Sequence, residues 1–291
     1  MPEDSESGSD IWPIGVFASI DAGLGVAWDV ISHLGVETIQ LHAPEAAGRD
    51  PASAKKFATE LADKNIRCTA VFGGFDGESY QDIPTVVRTI GLVPESTRQH
   101  RLVEMKQISD FASHLRCDTI ALHLGFVPHD PAAAGYDDIV DVTRQLCDHA
   151  AGNDQYVHLE TGQETADGLL TFLDKVDRAN LKINFDPANM ILYGAGDPIE
   201  ALQKFGDRVR SVHCKDATWS DKPGETWGQE VALGDGQVDL RKYLQTLKQI
   251  GYTGPLTIER EIPQDPERQK AEIGQAIERL QALKAELLPI P

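Results

Sequence analysis

Four residues that can bind a divalent cation each close an apolar run in the second half of the chain. They are Glu160 in HLET, Asp186 in NFDP, His213 in VHCKD and Glu259 in TIERE. Two glutamates, an aspartate and an imidazole form a hard, mostly oxygen ligand set, which suits Mn²⁺ or Mg²⁺ and can also hold Zn²⁺, Co²⁺ or Fe²⁺. The sequence therefore predicts a site for one divalent metal ion, with one or two positions left for water or substrate oxygens.

Each of these residues also has a purely structural interpretation. Asp186 precedes Pro187, a pair typical of a helix N-cap followed by proline at the first helical position. Glu259 is followed by two charged residues, as in a surface ion cluster, and Glu160 could simply begin a turn. A single histidine is more often a hydrogen-bonded core residue. Together, however, three buried carboxylates are costly unless a cation or protons compensate them, which favours the metal site.

Elements that could bring these residues together alternate regularly along the chain. Eight runs rich in Val, Ile, Thr and Phe predict buried strands at 14–19, 38–43, 67–72, 119–124, 156–161, 182–187, 209–214 and 256–261. A helical pattern follows each run, and eight such units predict a single (β/α)₈ TIM barrel over residues 11–291. A doubly wound open sheet is the alternative, but no glycine-rich dinucleotide-binding motif follows a strand.

In a barrel of this type, the C-terminal ends of all strands surround one mouth, so residues that are distant in sequence become neighbours. The last four predicted strands end on the four candidate ligands, which should therefore meet. Long connections at 73–94 and 216–238 also follow strands and should lie at the same end. Loops of this length are usually functional or disordered, and Trp219 and Trp227 in the second one favour a folded lid.

Composition and charge narrow the class of protein. The 291 residues carry a formal net charge of −19, which disfavours binding to nucleic acid. The four cysteines show neither metal-site nor disulfide spacing, and no apolar run reaches the roughly 20 residues that span a bilayer. Residues 1–10 are acidic and polar, unlike a signal peptide. We therefore expect a soluble cytoplasmic protein with a disordered tail at 1–10, no membrane or nucleic-acid partner, and a homo-oligomer as an open alternative.

Five segments resemble the sugar phosphate isomerase/epimerase proteins of the xylose isomerase-like TIM-barrel superfamily. They are ETGQE (160–164), NFDPANM (184–190), VHCKDA (212–217), LGDGQVD (233–239) and GYTGPLTIERE (251–261). Relatives of this family include ketose 3-epimerases, inosose dehydratases, hydroxypyruvate isomerase and endonuclease IV. The resemblance implies that the family's metal ligands fall on Glu160, Asp186, His213 and Glu259. It also implies that Glu160 and Glu259 are the two catalytic residues that transfer protons.

Two departures from the family pattern restrict the substrate. The epimerases and the repair enzymes usually carry a histidine three residues after the metal-binding aspartate, where this chain has Asn189. The Asp-x-His element of endonuclease IV is also missing from the connection after the seventh predicted strand, where Asp221-Lys-Pro stands. Both differences argue for a single metal ion and against DNA repair.

The expected reaction is proton abstraction next to a carbonyl, through an enediolate, by a divalent-metal-dependent sugar isomerase or epimerase. One of Glu160 and Glu259 would remove the proton, and the other would return one to the opposite face or to the adjacent carbon. Loss of a β-hydroxyl group from the same intermediate would instead make the protein a metal-dependent dehydratase of an inosose or keto-sugar. A non-catalytic sugar-binding barrel is the alternative of another class.

Further polar and aromatic residues near the predicted strand ends are candidates for binding a small sugar or polyol. They are His42, His123, Glu164, Asn189, Lys215 and Trp219. A surface lysine and ordinary loop packing are the competing interpretations of Lys215 and Trp219. No basic cluster for a phosphate group stands beside the predicted ligands, which favours an unphosphorylated substrate.

Overall fold

Eight parallel strands form the centre of the computed structural model, which describes residues 11–21 and 24–288. They are β1 (Ile14–Ser19), β2 (Thr38–His42), β3 (Arg67–Gly73), β4 (Thr119–Leu122), β5 (Tyr156–Glu160), β6 (Leu181–Phe185), β7 (Val209–Cys214) and β8 (Leu256–Ile258). Each strand pairs with its neighbour in sequence, and β8 pairs with β1. This closure confirms the single (β/α)₈ barrel over the open sheet. The tail predicted at 1–10 lies outside the described residues.

Helices surround the strands. Those of the described residues are α1 (Trp28–Ile31), α2 (Pro51–Asp63), α3 (Ile83–Thr89), α4 (Glu95–His114), α5 (Tyr136–Gly152), α6 (Ala166–Val176), α7 (Pro187–Tyr193), α8 (Pro198–Phe205), α9 (Leu240–Gln249) and α10 (Pro266–Leu287). Four of them begin with an aspartate N-cap followed by proline. The aspartate accepts hydrogen bonds from free backbone N–H groups, and proline needs no such partner, so this pair fixes the start of each helix.

The two long connections are partly ordered into elements that the sequence pattern did not predict. The first contains α3, and the second contains a two-stranded antiparallel hairpin of Asp216–Thr218 and Gln229–Val231. Trp227, near the second hairpin strand, packs against Tyr193 of α7 in a small cluster with Val86 of α3. The two connections therefore meet each other above the barrel mouth, as expected for a folded lid.

Two irregularities in strand register shape the barrel interior. Between β2 and β3 the register shifts after Ile39, and between β6 and β7 it shifts after Ile183. Each shift places an extra residue in one strand, as in a β-bulge, and re-aims the side chains that follow. As a result, Gln40, Asn184 and Ser211 are buried in contact with one another inside the barrel.

The four cysteines, Cys68, Cys117, Cys147 and Cys214, are buried and free. In the part of the chain that the structure describes, no helix combines the length and the apolar character that crossing a membrane requires.

Candidate metal centre

The ends of four neighbouring strands bring the predicted ligands together at the C-terminal end of the barrel. Glu160 is the last residue of β5, Asp186 follows β6, His213 lies in β7 and Glu259 follows β8. One donor atom from each residue lies within 4.8 Å of the others. Two donors on opposite sides of a cation, with bonds of roughly 2.0–2.6 Å, are separated by a similar distance. The four residues can therefore surround a single ion.

The unpaired atoms of this cluster test whether a cation fits. His213 Nδ1 lies 2.7 Å from Glu160 Oε1, 3.0 Å from Glu259 Oε2 and 3.5 Å from Asp186 Oδ2. Nevertheless Glu160 Oε1, Asp186 Oδ2 and His213 Nδ1 are buried without a partner in hydrogen-bond geometry. Buried acceptors that converge in this way are costly unless a cation lies between them. The donor set therefore fits a divalent metal ion.

Asp186 caps a helix and faces the cluster at the same time, through different oxygens. Its Oδ1 accepts hydrogen bonds from the backbone N–H groups of Ala188, at 2.8 Å, and Asn189, at 3.0 Å. Its Oδ2 is the atom left unpaired within the cluster. The N-cap and the ligand interpretations of Asp186 are thus compatible.

His213 is oriented by a side chain that the sequence reasoning missed. Its Nε2 lies 2.6 Å from Gln40 Oε1, and a carbonyl oxygen can only accept, so Nε2 carries a hydrogen. Nδ1 consequently points at the three carboxylates. Burial opposes a charge on this ring, but Glu259 and Glu160 outweigh that effect and raise the pKa of His213 well above its usual range. A cation bound at Nδ1 would displace that proton.

Lys215 makes the two glutamates of the cluster unequal. Its Nζ lies 3.1 Å from Glu259 Oε2 and 2.9 Å from Glu261 Oε1. Burial raises the pKa of Glu259, but Lys215 and His213 outweigh it, so the net shift is downward. Burial raises the pKa of Glu160 to about 7, against the opposing effect of His213. Without a cation, Glu259 is therefore held ionised while the pKa of Glu160 lies near 7, so the two carboxylates differ in their affinity for a proton.

His123 is placed beside Tyr193, on the side of the mouth that faces the lid. Its Nδ1 accepts from the backbone N–H of Gly125 at 3.1 Å, so Nε2 donates to the Tyr193 hydroxyl at 3.2 Å. Burial lowers the pKa of His123 to about 4, which keeps the ring neutral. Tyr193 in turn packs edge-on against Trp227, with ring centroids 4.5 Å apart.

The remaining predicted substrate-binding residues occupy different environments. Glu164 is buried against Gln163, and burial raises its pKa to about 8. His42 ends β2, and its Nδ1–H donates to its neighbour's carbonyl oxygen. Asn189 contacts Asp186 through its backbone, and Trp219 packs on the main hydrophobic core.

Three residues near the cluster were not anticipated from the sequence. Gln40 carried a usable signal, since it lies two positions before His42 in a buried strand and must share its face. Tyr193 was missed because α7 was not predicted. Glu230, on the second hairpin strand, lies 3.8 Å from Lys215 and 2.7 Å from Arg260, and nothing in its sequence neighbourhood indicated this.

Comparison with solved structures shows a close relative and more distant ones. A xylose isomerase domain protein from Planctomyces limnophilus matches with a TM-score of 0.94 and 55% identity, over 96% of this chain and 100% of that one. A xylose isomerase-like TIM barrel protein from Mycobacterium smegmatis, in complex with magnesium, matches with a TM-score of 0.69 and 20% identity, over 95% and 98% of the two chains. At that identity, the second match shows a shared fold.

Two proteins of known activity match part of the chain. An inosose dehydratase from Bacillus licheniformis is 31% identical over 121 residues, which is 38% of this chain and 39% of that protein. An L-ribulose 3-epimerase from Methylomonas sp. is 29% identical over 150 residues, or 49% and 48% of the two. The chain thus spans about two fifths to one half of the length of these relatives.

The match to a protein family covers most of the chain. The sequence profile of the family described as "Xylose isomerase-like TIM barrel" matches residues 28–283. That range begins at α1 and ends within α10, so it includes seven of the eight barrel strands and all four residues of the cluster. The resemblance seen in the sequence is confirmed, and the chain belongs to the xylose isomerase-like TIM barrel family.

Proposed function

We propose that this protein is a divalent-metal-dependent sugar isomerase or epimerase that abstracts a proton next to a carbonyl group. The observation that carries this proposal is the convergence of Glu160, Asp186, His213 and Glu259 on one point, with three of their donor atoms buried and unpaired. A structural ion cluster would satisfy these atoms internally. Their convergence instead favours a site that is completed by a bound cation.

The proposed cofactor is one divalent ion, most readily Mn²⁺ or Mg²⁺, because three of the four donors are carboxylate oxygens. When bound, the ion would polarise a substrate carbonyl and so make the neighbouring C–H group more acidic. Zn²⁺, Co²⁺ and Fe²⁺ are also compatible with the single imidazole.

Glu160 and Glu259 are the proposed proton-transfer residues. Both side chains are 11% exposed, whereas Asp186 and His213 have no exposed side-chain surface. The two glutamates are therefore the ligands that a substrate can reach. One of them would remove the proton and the other would return one, and the contact with Lys215 favours Glu259 as the ionised partner.

The proposed substrate is an uncharged sugar or polyol. Lys215 and Arg260, the cations beside the cluster, are both neutralised, Lys215 by Glu259 and Glu261 and Arg260 by Glu230. A phosphate group would find no unpaired cation in either of them. The largely protonated Glu164 can hydrogen bond sugar hydroxyl groups, and His123 would contact the substrate through the Tyr193 hydroxyl that it orients. We assign Asn189, His42, Lys215 and Trp219 supporting contacts with the substrate.

A dehydratase acting on an inosose or keto-sugar is the second candidate. It is favoured by the 31% identity to an inosose dehydratase, in which this reaction is the named activity. The same pair of glutamates could remove a proton and then protonate a departing hydroxyl group, so the cluster alone is compatible with both reactions.

The test combines metal analysis with a panel of keto-sugars, aldoses and inososes. Purified protein is loaded with Mn²⁺, its metal content is measured by mass spectrometry, and products are analysed by mass and by NMR in D₂O. We expect one metal ion per chain, a product of unchanged mass when the reaction runs in H₂O, and incorporation of solvent deuterium at the reacting carbon when it runs in D₂O. Loss of water from an inosose would establish the dehydratase instead. A chain that retains no divalent ion would refute both and favour a non-catalytic sugar-binding barrel.

A further inference from the structure

A chain of polar side chains runs through the barrel interior, away from the metal centre. His213 Nε2 contacts Gln40 Oε1 at 2.6 Å, and Gln40 Nε2 contacts Asn184 Oδ1 at 3.3 Å. Ser211 Oγ also contacts Asn184 Oδ1, at 2.6 Å, and His158 Nδ1 contacts Ser211 Oγ at 2.7 Å. All five residues are at least nine-tenths buried. Barrel interiors are usually filled by branched apolar side chains, so this polar chain needs an explanation.

The direction of each hydrogen bond in this chain follows from the chemistry of its atoms. Asn184 Oδ1 can only accept, so both Gln40 and Ser211 donate to it. Ser211 has a single hydrogen, so it must accept from His158 Nδ1–H. Donation to Ser211 requires a hydrogen on His158 Nδ1, which the imidazole ring can supply. The amide of Gln40 is thereby held with its oxygen towards His213.

Two register shifts in the barrel strands bring these hydrogen-bonded side chains into line. With regular pairing after Ile183, Asn184 would lie opposite Arg210; the register shift puts Ser211 there instead. A similar shift leaves Thr69 unpaired beside Gln40, and the Thr69 hydroxyl bonds the carbonyl oxygen of Ile39. Bulges of this kind re-aim side chains at functional sites. Both register shifts lie where they align the hydrogen-bonded side chains of this polar network.

We propose that Gln40 is a positioning residue, which holds His213 in the form whose Nδ1 is free for the metal ion, and that Asn184 fixes the orientation of Gln40. This inference rests on the proposed function, since it requires that the cluster binds a metal ion. If the Gln40 amide were reversed, its N–H would point at Nε2 of His213 and favour a hydrogen on Nδ1. Nδ1 would then be blocked. Partners of this type typically change metal affinity by roughly 10- to 100-fold.

The experiment measures Mn²⁺ affinity by titration calorimetry in five variants of the full chain. Gln40→Met removes the acceptor at nearly constant volume, and Gln40→Glu keeps it. Gln155→Met is the matched control, because Gln155 is equally buried and hydrogen bonded, to Ser109 and Cys117, in a different part of the barrel. We expect Gln40→Met to weaken Mn²⁺ binding by roughly 10- to 100-fold. Gln40→Glu should bind about as tightly as wild type, and so should Gln155→Met.

The remaining two variants are Asn184→Leu and Asn184→Asp, of which Asn184→Asp retains the acceptor for Gln40. Asn184→Leu should weaken Mn²⁺ binding more than Asn184→Asp does. This comparison tests the inference even if Gln40→Met does not fold. The inference is overturned if Gln40→Met or Asn184→Leu binds Mn²⁺ within twofold of wild type, or if Gln155→Met weakens binding equally. Wild-type protein that binds no Mn²⁺ would instead refute the metal function itself. NMR of ¹⁵N-labelled histidine in the Mg²⁺-loaded wild type should show a protected Nε2–H on His213, and its absence would also overturn the inference.

Discussion

Asp186 shows how a single residue can fix both an element and a ligand. One carboxylate oxygen holds the first turn of α7, and the other faces the cluster. The helix start therefore determines the direction of the ligand atom. The same residue type caps α8, where Asp197 accepts from Ile199 and Glu200 but contacts no ligand cluster. Comparing variants of Asp186 and Asp197 therefore separates the effect of losing a helix cap from the effect of losing a metal ligand.

We predict that Asp186→Asn abolishes tight metal binding and leaves the metal-free fold intact. An asparagine keeps the oxygen that caps α7, and it removes one of three crowded carboxylates. The affinity for Mn²⁺ should fall at least about 100-fold, while the urea midpoint of metal-free protein stays equal or rises. Asp197→Asn, measured in parallel, should change neither quantity appreciably. Unchanged Mn²⁺ affinity in Asp186→Asn would remove Asp186 from the ligand set.

Removing the charge of either Glu160 or Glu259 should lower the catalytic rate. Glu160→Gln and Glu259→Gln should lower kcat by roughly 10²- to 10⁴-fold, the usual contribution of a general acid or base. Turnover is compared at equal metal occupancy, so that loss of metal is not mistaken for loss of chemistry. Glu261→Gln is the control, because Glu261 contacts the same lysine but lies outside the cluster. Near wild-type kcat in both variants would end the proton-transfer assignment.

Glu164 should make stability depend on pH in a recognisable direction. Its folded pKa is raised to about 8 by burial, so the folded state holds a proton that the unfolded state releases above about pH 4.5. Its contribution to stability is therefore present below pH 4.5 and lost as the pH rises to 8. Glu164→Gln should remove this loss and gain roughly 4 kcal/mol on wild type between pH 5 and pH 8.5 in urea unfolding. A constant difference between the two proteins would contradict the raised pKa.

Among the elements, α7 and the hairpin connection form one wall of the mouth. Gly228, at the end of the connection, donates its N–H to the carbonyl oxygen of Leu192 at 3.0 Å. Next to Gly228, Trp227 packs on Tyr193, whose hydroxyl is hydrogen bonded to His123. The position of His123 thus depends on Trp227, which is not one of the four residues of the metal cluster.

Replacing Trp227 by alanine should therefore affect substrate binding more than chemistry. Without the indole, Tyr193 loses its support and the mouth loosens, so KM should rise about fivefold to tenfold, a loss of the size of one aromatic contact. kcat should change less than about twofold, because the four ligands stay in place. Trp28, which packs on Phe57 of α2, gives the control Trp28→Ala. A fall in kcat without a change in KM would place Trp227 in the chemistry instead.

The hydrophobic pattern along the sequence predicts some of the helices and strands and misses others. All eight strands were predicted within a few residues, because a strand buried on both faces is a continuous apolar run. The long helix α10 follows the last predicted strand, where a helical pattern was expected, and it buries Ile273, Ile277 and Leu280 at helical spacing. The short helices α3 and α7 and the hairpin were not predicted. Seven residues show too little periodicity, and the hairpin strands are ordered by contacts with α7 rather than by their own pattern.

At the scale of the whole molecule, the metal ion should act as part of the fold. A ligand that binds only the folded state adds about 2.7 kcal/mol at 100 times its Kd. For a chain of this size, that corresponds to a rise in Tm of roughly 4–5 °C. We predict such a rise on adding Mn²⁺ in thermal unfolding and its reversal by EDTA. The rise should shrink below neutral pH, because the raised pKa of His213 makes a proton compete with the metal. Asp186→Asn should show no rise, and a rise that persists there would point to another binding site.

The barrel and the four candidate ligands were readable from the sequence because both depend on local features. Strand and helix periods are local, and each ligand is the polar residue that ends an apolar run. Once the barrel is recognised, the convergence of Glu160, Asp186, His213 and Glu259 follows from closure of the sheet.

What only the tertiary structure decided is how each ligand is held. The division of Asp186 between cap and cluster, the salt bridge from Lys215 to Glu259, and the contact of Gln40 with His213 all depend on atoms brought together across the barrel. Gln40 and His213 are 173 residues apart, and two register shifts set the alignment of the polar chain that joins them to Asn184 and Ser211. Hydrogen bonds act over about 3 Å, so no pattern along the chain can specify them before the backbone is closed.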